Sequence, residues 1–259
     1  MAFEELVQIM RKLRDPDCGC PWDREQSRES LSPFLVEETY EVLEAIEKGD
    51  PADIREELGD LLFQIVFHAQ IADEAGEFNI EDVINRIRDK MISRHPHVFG
   101  NASFKNSAEV LVQWEEKKKL EGKQRESVLD GVPRTLPGLL RAHRLQERAA
   151  RVGFDWESPE DMDDVVRQLD DEVAEFKEVL RKKDESAMED ELGDIFFTMV
   201  NISRFVGVNP EDALRRTISK FIHRFRHIEM AAAESGKKLS DMTLAEMDKL
   251  WNEAKAEKA

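Results

Sequence analysis

Four acidic residues recur in the same order and spacing in the two halves of the chain. The first set is Glu38, Glu41, Glu57 and Asp60, and the second set is Glu172, Glu175, Glu191 and Asp194. All four offsets equal 134 residues (172−38, 175−41, 191−57 and 194−60). Self-similarity at one fixed offset indicates a tandem duplication of a single structural unit. We therefore expect two copies of that unit, each carrying the same acids.

Each set consists of two acidic pairs on two successive predicted helices. Within a pair the acids are three residues apart, so both carboxylates project from nearly the same face of one helix. In the first half, Gly49, Asp50 and Pro51 interrupt the helical pattern and allow one helix to fold back against the next. Four carboxylates then converge from two helices. This spacing predicts a metal site in each half.

Helical periodicity accounts for nearly the whole sequence, and no stretch shows a convincing strand pattern. Helix starts are predicted at Ser32 with Pro33, at Asp50 with Pro51, and at Ser186 with Glu189 as a capping box. We predict an all-α fold, a tandem duplication of a four- or five-helix bundle unit. Gly and Pro break the polar stretch between the repeats, which predicts an N-terminal domain (1–121), a linker (122–138) and a C-terminal domain (139–259).

Composition restricts the partners and the compartment. The chain has 38 Lys and Arg against 56 Asp and Glu, a formal net charge of −18, which disfavours nucleic acid or an anionic membrane as a partner. Cys18 and Cys20 match neither a disulfide framework nor a complete zinc site. The sequence shows no signal-peptide pattern and no stretch long and apolar enough to span a bilayer. We expect a cytoplasmic protein.

Carboxylate oxygens select hard cations, of which Mg²⁺ is expected here and Mn²⁺ is the alternative. Converging acids repel one another, so a bound cation would account for their convergence. Because 36% of the residues are charged, a single pair with this spacing would indicate only a solvated helix face. The repetition of both pairs at one offset favours the metal site.

Basic and aromatic residues also recur in both halves. Lys90 and Arg94 correspond to Lys220 and Arg224, and Trp114 and Lys118 correspond to Trp251 and Lys255. Two cations on one helix face can bind phosphates, and an indole can stack on a base or a sugar. Each pair by itself is more typical of a solvated face or of core packing. Together with the acids, the pairs indicate a nucleotide-binding site.

Longer runs surround these positions: CPWD (20–23), EETYE (37–41), EELGDLLF (56–63), RHPHVF (94–99) and DELGDIFF (190–197). With these runs the chain resembles the MazG family of nucleoside triphosphate pyrophosphohydrolases, of the all-α pyrophosphatase superfamily, in its two-domain bacterial form. The resemblance covers nearly the whole chain. The E-x-x-E pair followed by an E-x-x-D pair on consecutive helices is specific to that superfamily.

The resemblance implies Mg²⁺-dependent hydrolysis of an NTP or dNTP between the α and β phosphorus atoms, giving a monophosphate and pyrophosphate for nucleotide-pool housecleaning or control. It implies catalytic metal ligands at Glu172, Glu175, Glu191 and Asp194, with first-half counterparts at Glu38, Glu41, Glu57 and Asp60. The nucleotide-binding residues that it implies are Gln168, Lys220, Arg224, Trp251 and Lys255, with Lys90, Arg94, Trp114 and Lys118 in the first half. Family expectation favours the second half as the active one, although EETYE becomes DEVAE there.

Two other kinds of function are open to an acidic helical chain. A di-iron carboxylate bundle requires Glu-x-x-His on two helices, and none of the six histidines has Glu three residues before it. A non-catalytic acidic helical nucleotide sensor or scaffold remains the alternative. Broad apolar stripes on the predicted helices also indicate that the chain pairs with a second copy, so we expect a homodimer.

Overall fold

A computed structural model of the chain describes residues 2–104, 106, 109–110, 113, 127–155 and 162–256. Within these ranges the regular elements are helices and no strand occurs, which confirms the all-α prediction. None of the helices in these ranges is long and apolar enough to cross a bilayer. The chain divides into two compact units, the first unit Met1–Lys123 and the second unit Gln124–Ala259. The exact domain and linker boundaries given above stay a prediction.

The first unit is organised around one long helix. Its helices are α1 (Ala2–Leu13), α2 (Pro21–Glu25), α3 (Arg28–Lys48), α4 (Pro51–Glu74), α5 (Ile80–Arg94) and α6 (Pro96–Phe99). Helices α1, α3 and α5 all pack on α4. The buried core on this helix comprises Met10, Leu31, Val66, Phe67, Ala69 and Ile80.

The second unit repeats this order of helices. It contains α7 (Gly138–Ala150), α8 (Met162–Lys182), α9 (Glu185–Phe205), α10 (Pro210–Glu234) and α11 (Leu244–Ala256). Helix α8 packs along α9, as α3 packs along α4, and α7 packs on α9, as α1 packs on α4. Helix α11 packs on α10. The two helices that carry the acidic pairs are therefore direct neighbours in each unit.

The start of α3 differs from the prediction. The helix begins at Arg28, and Pro33 lies inside it. A capping box of two serines causes the earlier start, because Ser27 Oγ accepts from Ser30 N at 3.2 Å and Ser30 Oγ accepts from Ser27 N at 2.9 Å. Pro33 is the sixth residue of α3, so it removes the backbone donor that would bond to the carbonyl oxygen of Glu29, at a cost to the helix. The predicted start at Ser32 is therefore wrong.

The starts of α4 and α9 both use an aspartate. Asp50 accepts from Ala52 N at 2.9 Å, which confirms the predicted start at Asp50 and Pro51. Helix α9 begins at Glu185, because Asp184 accepts from Ala187 N at 3.2 Å. The predicted capping box at Ser186 is wrong, since a carboxylate two residues earlier already satisfies the free backbone donors.

Arg14 joins three helices of the first unit. Its guanidinium makes hydrogen bonds of 2.7–3.0 Å to the carboxylate of Glu74 on α4 and also donates to the carbonyl oxygens of Asp23 and Gln26 around α2. The side chain is 8% exposed and lies over the Phe67 ring. The hydrogen bonds from Arg14 lower the pKa of Glu74. Arg14 therefore fixes α1 and the CPWD segment to the helix that carries Glu57.

We expect Arg14→Ala to lower the free energy of unfolding of the first unit by about 3 kcal/mol, because it leaves a charge and two carbonyl oxygens without their donor. The matched control is Arg11→Ala, since Arg11 pairs with Asp73 at 3.6 Å with both side chains well exposed, and it should cost less than about 1 kcal/mol. Urea denaturation followed by circular dichroism measures both. Equal losses would show that Arg14 does not hold the helices together.

Candidate metal centre

Helices α3 and α4 bring three acids of the first unit together. Glu38 and Glu41 lie one turn apart on α3, and Glu57 faces them from α4. One carboxylate oxygen from each residue lies within 4.8 Å of the other two. The chain reverses between the helices at Gly49, whose φ of 76° is left-handed and favours glycine. The sharp reversal holds the acid-bearing faces of the two helices against each other.

The second unit has the same triplet on α8 and α9. Glu172, Glu175 and Glu191 each provide a carboxylate oxygen, and these oxygens also lie within 4.8 Å of one another. Asp60 and Asp194 lie one turn beyond the triplets and are exposed. Three of the four acids predicted for each unit therefore form a close group, and the aspartate stands at its edge.

The carboxylates of each group disfavour one another's ionisation. Burial raises the pKa of Glu38, and the negative charges of Asp60 and Glu41 raise it further. The pKa of Glu57 is raised by burial and then by Glu41 and Asp60. In the second unit burial, Glu175, Asp194 and Glu172 raise the pKa of Glu191. Repulsion between the negative charges therefore destabilises each group when all its carboxylates are ionised.

A divalent cation fits this set of donors. The ligands would all be carboxylate oxygens, which hard cations prefer. Within the described residues, Glu191 Oε2 is buried and has no hydrogen-bond partner. A buried carboxylate oxygen without a partner costs free energy, and a cation would relieve both that cost and the mutual repulsion. Glu172, Glu175 and Glu191 would hold such an ion in the second unit, with Asp194 at the edge.

The predicted nucleotide-binding residues lie on several helices. Gln168 on α8 donates from Nε2 to Glu172 Oε1 at 3.4 Å, which joins it to the acidic group. On α10, Lys220 is exposed, while the Arg224 guanidinium lies 5.2 Å from the centre of the Trp251 ring. The Phe221 ring contacts the same indole, with ring centres 5.2 Å apart. Within the second unit, Trp251 therefore already packs against two side chains.

The remaining predicted residues are placed as follows. Lys255 is exposed on α11, and Lys90 is exposed on α5. Arg94 is 6% exposed at the end of α5 and so is not part of a solvated basic face. Trp114 and Lys118 lie outside the described residues.

A large cavity lies beside the acidic group of the second unit. Its volume is about 1140 Å³, and its walls come from α7, α8, α9 and the loops at 129 and 153–155. Phe154, Phe197 and Leu145 contribute apolar surface, while Gln168 and Asp171 border it on the side of Glu172. The cavity is therefore linked to the acidic group through the hydrogen bond from Gln168 to Glu172.

Apart from Gln168, the sequence analysis did not indicate the polar residues of this cavity. Gln146, Asn201 and Arg204 come from two helices and belong to no recognisable motif. Asn201 Oδ1 accepts from Arg204 Nη2 at 2.9 Å, and Arg204 also pairs with Asp155. Gln64 was missed in the first unit, where it is buried and donates toward Glu38. Gln64 lies one turn after Asp60 on the same face of α4, and this spacing could have indicated that it lies near the acids.

The family model for the MazG nucleotide pyrophosphohydrolase domain matches the chain twice, over residues 26–99 and 161–229. The chain belongs to the MazG family. Each of the two matched regions contains its own acidic group, and the presence of two copies of the domain confirms the tandem duplication. The resemblance drawn from the sequence runs is thereby confirmed.

Relatives of this MazG protein align over almost its full length. A Thermotoga maritima protein named nucleoside triphosphate pyrophosphohydrolase/pyrophosphatase MazG is 46% identical, over 98% of this chain and 96% of its own. An Escherichia coli K12 protein named nucleoside triphosphate pyrophosphohydrolase is 43% identical, over 98% of this chain and 97% of its own. The crystal structure of a mazG-related protein from Thermotoga maritima matches with a TM-score of 0.39 and 33% identity, over 45% of this chain and 98% of its own.

In the metal-free MazG chain we expect Glu191→Gln to raise the thermal unfolding midpoint. Folding raises the pKa of Glu191, so the folded chain binds more protons than the unfolded chain, and ionisation costs stability as the pH rises above 4.5. The advantage of the variant should therefore grow between pH 4.5 and pH 7, as differential scanning calorimetry can measure.

The matched control is Glu189→Gln, which removes one exposed acid from the same helix outside the acidic group. It should change the midpoint little over this pH range. Added Mg²⁺ should stabilise the wild type and Glu189→Gln more than Glu191→Gln, because a cation that binds only the folded chain adds stability. An equal response of all three proteins would contradict a metal centre at Glu191.

Proposed function

We propose that this MazG protein hydrolyses nucleoside triphosphates, NTP or dNTP, to the monophosphate and pyrophosphate with Mg²⁺, for which Mn²⁺ can substitute. The observation that carries the proposal is the triplet of Glu172, Glu175 and Glu191, which Gln168 joins through its hydrogen bond to Glu172 to a cavity large enough for a nucleoside. The names of the full-length relatives support the same reaction. Control or housecleaning of the nucleotide pool is the proposed role.

We place the active site in the second unit because two polar residues of its cavity are replaced by aromatic residues in the first unit. Asn201 and Gln168 of the cavity correspond to Phe67 and Phe34 at the offset of 134 residues (201−67 and 168−34). Phe67 is 1% exposed in the apolar core, while Phe34 is exposed and packs edge-on against Trp22. The first unit therefore keeps the acids but lacks the amide groups of the cavity at these two positions.

The side chains of the second unit have distinct proposed roles. The carboxylates hold the cation, which when bound neutralises their charge and polarises the phosphate oxygens. Gln168 orients Glu172 through its hydrogen bond, and the apolar wall residues of the cavity contact the nucleoside. Lys220 and Arg224 neutralise the charge of the triphosphate. Hydrolysis by water requires no covalent intermediate with the protein.

We also propose that the chain acts as a cytoplasmic homodimer. The second unit exposes large apolar side chains on its long helices: Phe196, Met199, Ile218 and Ile222. Large apolar side chains left exposed on two helices favour an interface at this surface. The acidic chain is not expected to bind nucleic acid. A mass of one chain by light scattering at micromolar concentration would contradict the dimer.

Product analysis tests the reaction. ATP and dATP are incubated with Mg²⁺ and the products are separated by ion-exchange chromatography. We expect monophosphate and pyrophosphate from the wild type and from Glu38→Gln/Glu41→Gln. The matched variant Glu172→Gln/Glu175→Gln should lose activity by roughly 100-fold or more, because it removes two cation ligands from the reacting centre.

Three outcomes would contradict parts of the proposal. Release of diphosphate and phosphate would contradict the site of cleavage. Loss of activity in the first double variant alone would move the active site to the first unit. Nucleotide binding without turnover in the wild type would favour the sensor or scaffold.

A further inference from the structure

The cavity of the second unit contains a buried hydrogen-bond acceptor that no protein group satisfies. Gln146 lies on α7, lines the cavity and is 8% exposed. Its Oε1 is buried and has no partner among the described residues. A buried acceptor without a donor destabilises a folded protein, so its presence requires an explanation.

The orientation of the Gln146 amide is fixed. Its Nε2 donates to the carbonyl oxygen of Phe197 at 2.9 Å. A carbonyl oxygen only accepts, so the amide nitrogen must face Phe197, and the reversed amide would place two oxygens against each other. The free group of the side chain is therefore an acceptor, and a partner must bring a donor.

The helix that packs on the central helix buries a different kind of side chain in each unit. The buried residue of α7 is Gln146, and the buried residue of α1 is Met10. Met10 is 0% exposed and belongs to the apolar core around Phe67. An apolar residue thus serves packing in the first unit, while an amide is buried beside the cavity of the second unit.

The surroundings of Gln146 suit a planar heterocycle. Phe154, Phe197 and Leu145 provide apolar wall surface, and Gln168 connects the cavity to Glu172. Phe154 is 82% exposed, so little packing holds its ring in place. Gln146 borders the same cavity, so a ligand held there lies next to its side chain.

We propose that Gln146 recognises the base of the nucleotide, with Oε1 accepting a hydrogen bond from an N–H group on the edge of the base. The proposal rests on the proposed function and adds a specificity-determining residue to it. The exocyclic amines of adenine and cytosine and the ring N–H of guanine and uracil are donors of this kind. Gln146 touches the base and takes no part in the cleavage of the phosphate bond.

The test compares nucleotides with a substrate that has no base. Values of kcat/KM are measured for ATP, CTP, GTP and UTP and for the ribose 5′-triphosphate that carries hydrogen in place of the base. We expect Gln146→Met to lower kcat/KM for the best nucleotide roughly 10- to 100-fold, because a polar contact to the base is lost. Turnover of the baseless triphosphate should stay within about twofold of the wild type.

The matched control is Gln8→Met, which replaces an exposed glutamine on α1 and should leave all five values unchanged. Should Gln146→Met fail to fold by circular dichroism, Gln146→Asn replaces it. Asparagine keeps the amide but shortens the side chain by one methylene group, so the same base-dependent loss is expected.

The outcomes separate this proposal from the proposed function. Equal effects of the Gln146 variants on nucleotides and on the baseless triphosphate would overturn base recognition and leave the pyrophosphohydrolase reaction standing. Unchanged kcat/KM values of the Gln146 variants for every substrate would also overturn base recognition and leave the pyrophosphohydrolase reaction standing. A wild type that releases no monophosphate and pyrophosphate from any nucleotide would overturn both.

Discussion

Repulsion between carboxylates held by two packed helices is the constraint on which the rest of the structure depends. In each unit three carboxylate oxygens lie within 4.8 Å of one another. Burial raises the pKa values of Glu38, Glu57 and Glu191, and the neighbouring negative charges raise them further. Helix packing and the reversal at Gly49 maintain this closeness without a covalent link. The repulsion lowers the stability of the folded chain but creates a site that attracts a cation. Cation binding would account for the presence of the same three acids in both units.

The two units use the same helices for different interiors. In the first unit, Met10 and Phe67 belong to a packed core, and Arg14 fixes the neighbouring segment. In the second unit, Gln146 and Asn201 border an open cavity. A packed core stabilises its unit, whereas a cavity forgoes packing contacts and becomes useful when a ligand occupies it. The duplication thus separates a unit built for packing from a unit built for binding.

Some of this could be predicted from the sequence, and the reasons are physical. The spacing of the acids follows from the period of the helix, so the convergence of three of the four acids in each unit could be predicted from the sequence. The start of α3 could not, because two serines at Ser27 and Ser30 compete with the more familiar Ser32 and Pro33 signal. The cavity could not be predicted either, since Gln146 and Asn201 approach each other only after α7 and α9 have packed. The packing of Trp251 against Arg224 likewise depends on how α10 meets α11.

The most direct test is a crystal structure of the protein with Mn²⁺ and α,β-methylene-dATP, using the anomalous signal of manganese to locate the ion. The account predicts manganese between Glu172, Glu175 and Glu191, with the triphosphate on the ion and the base in the cavity beside Gln168. The same crystal shows whether the first unit also binds manganese or nucleotide, since it has the same arrangement of three acids beside a packed core. A nucleotide bound at Glu38, Glu41 and Glu57, with the cavity of the second unit empty, would contradict the account.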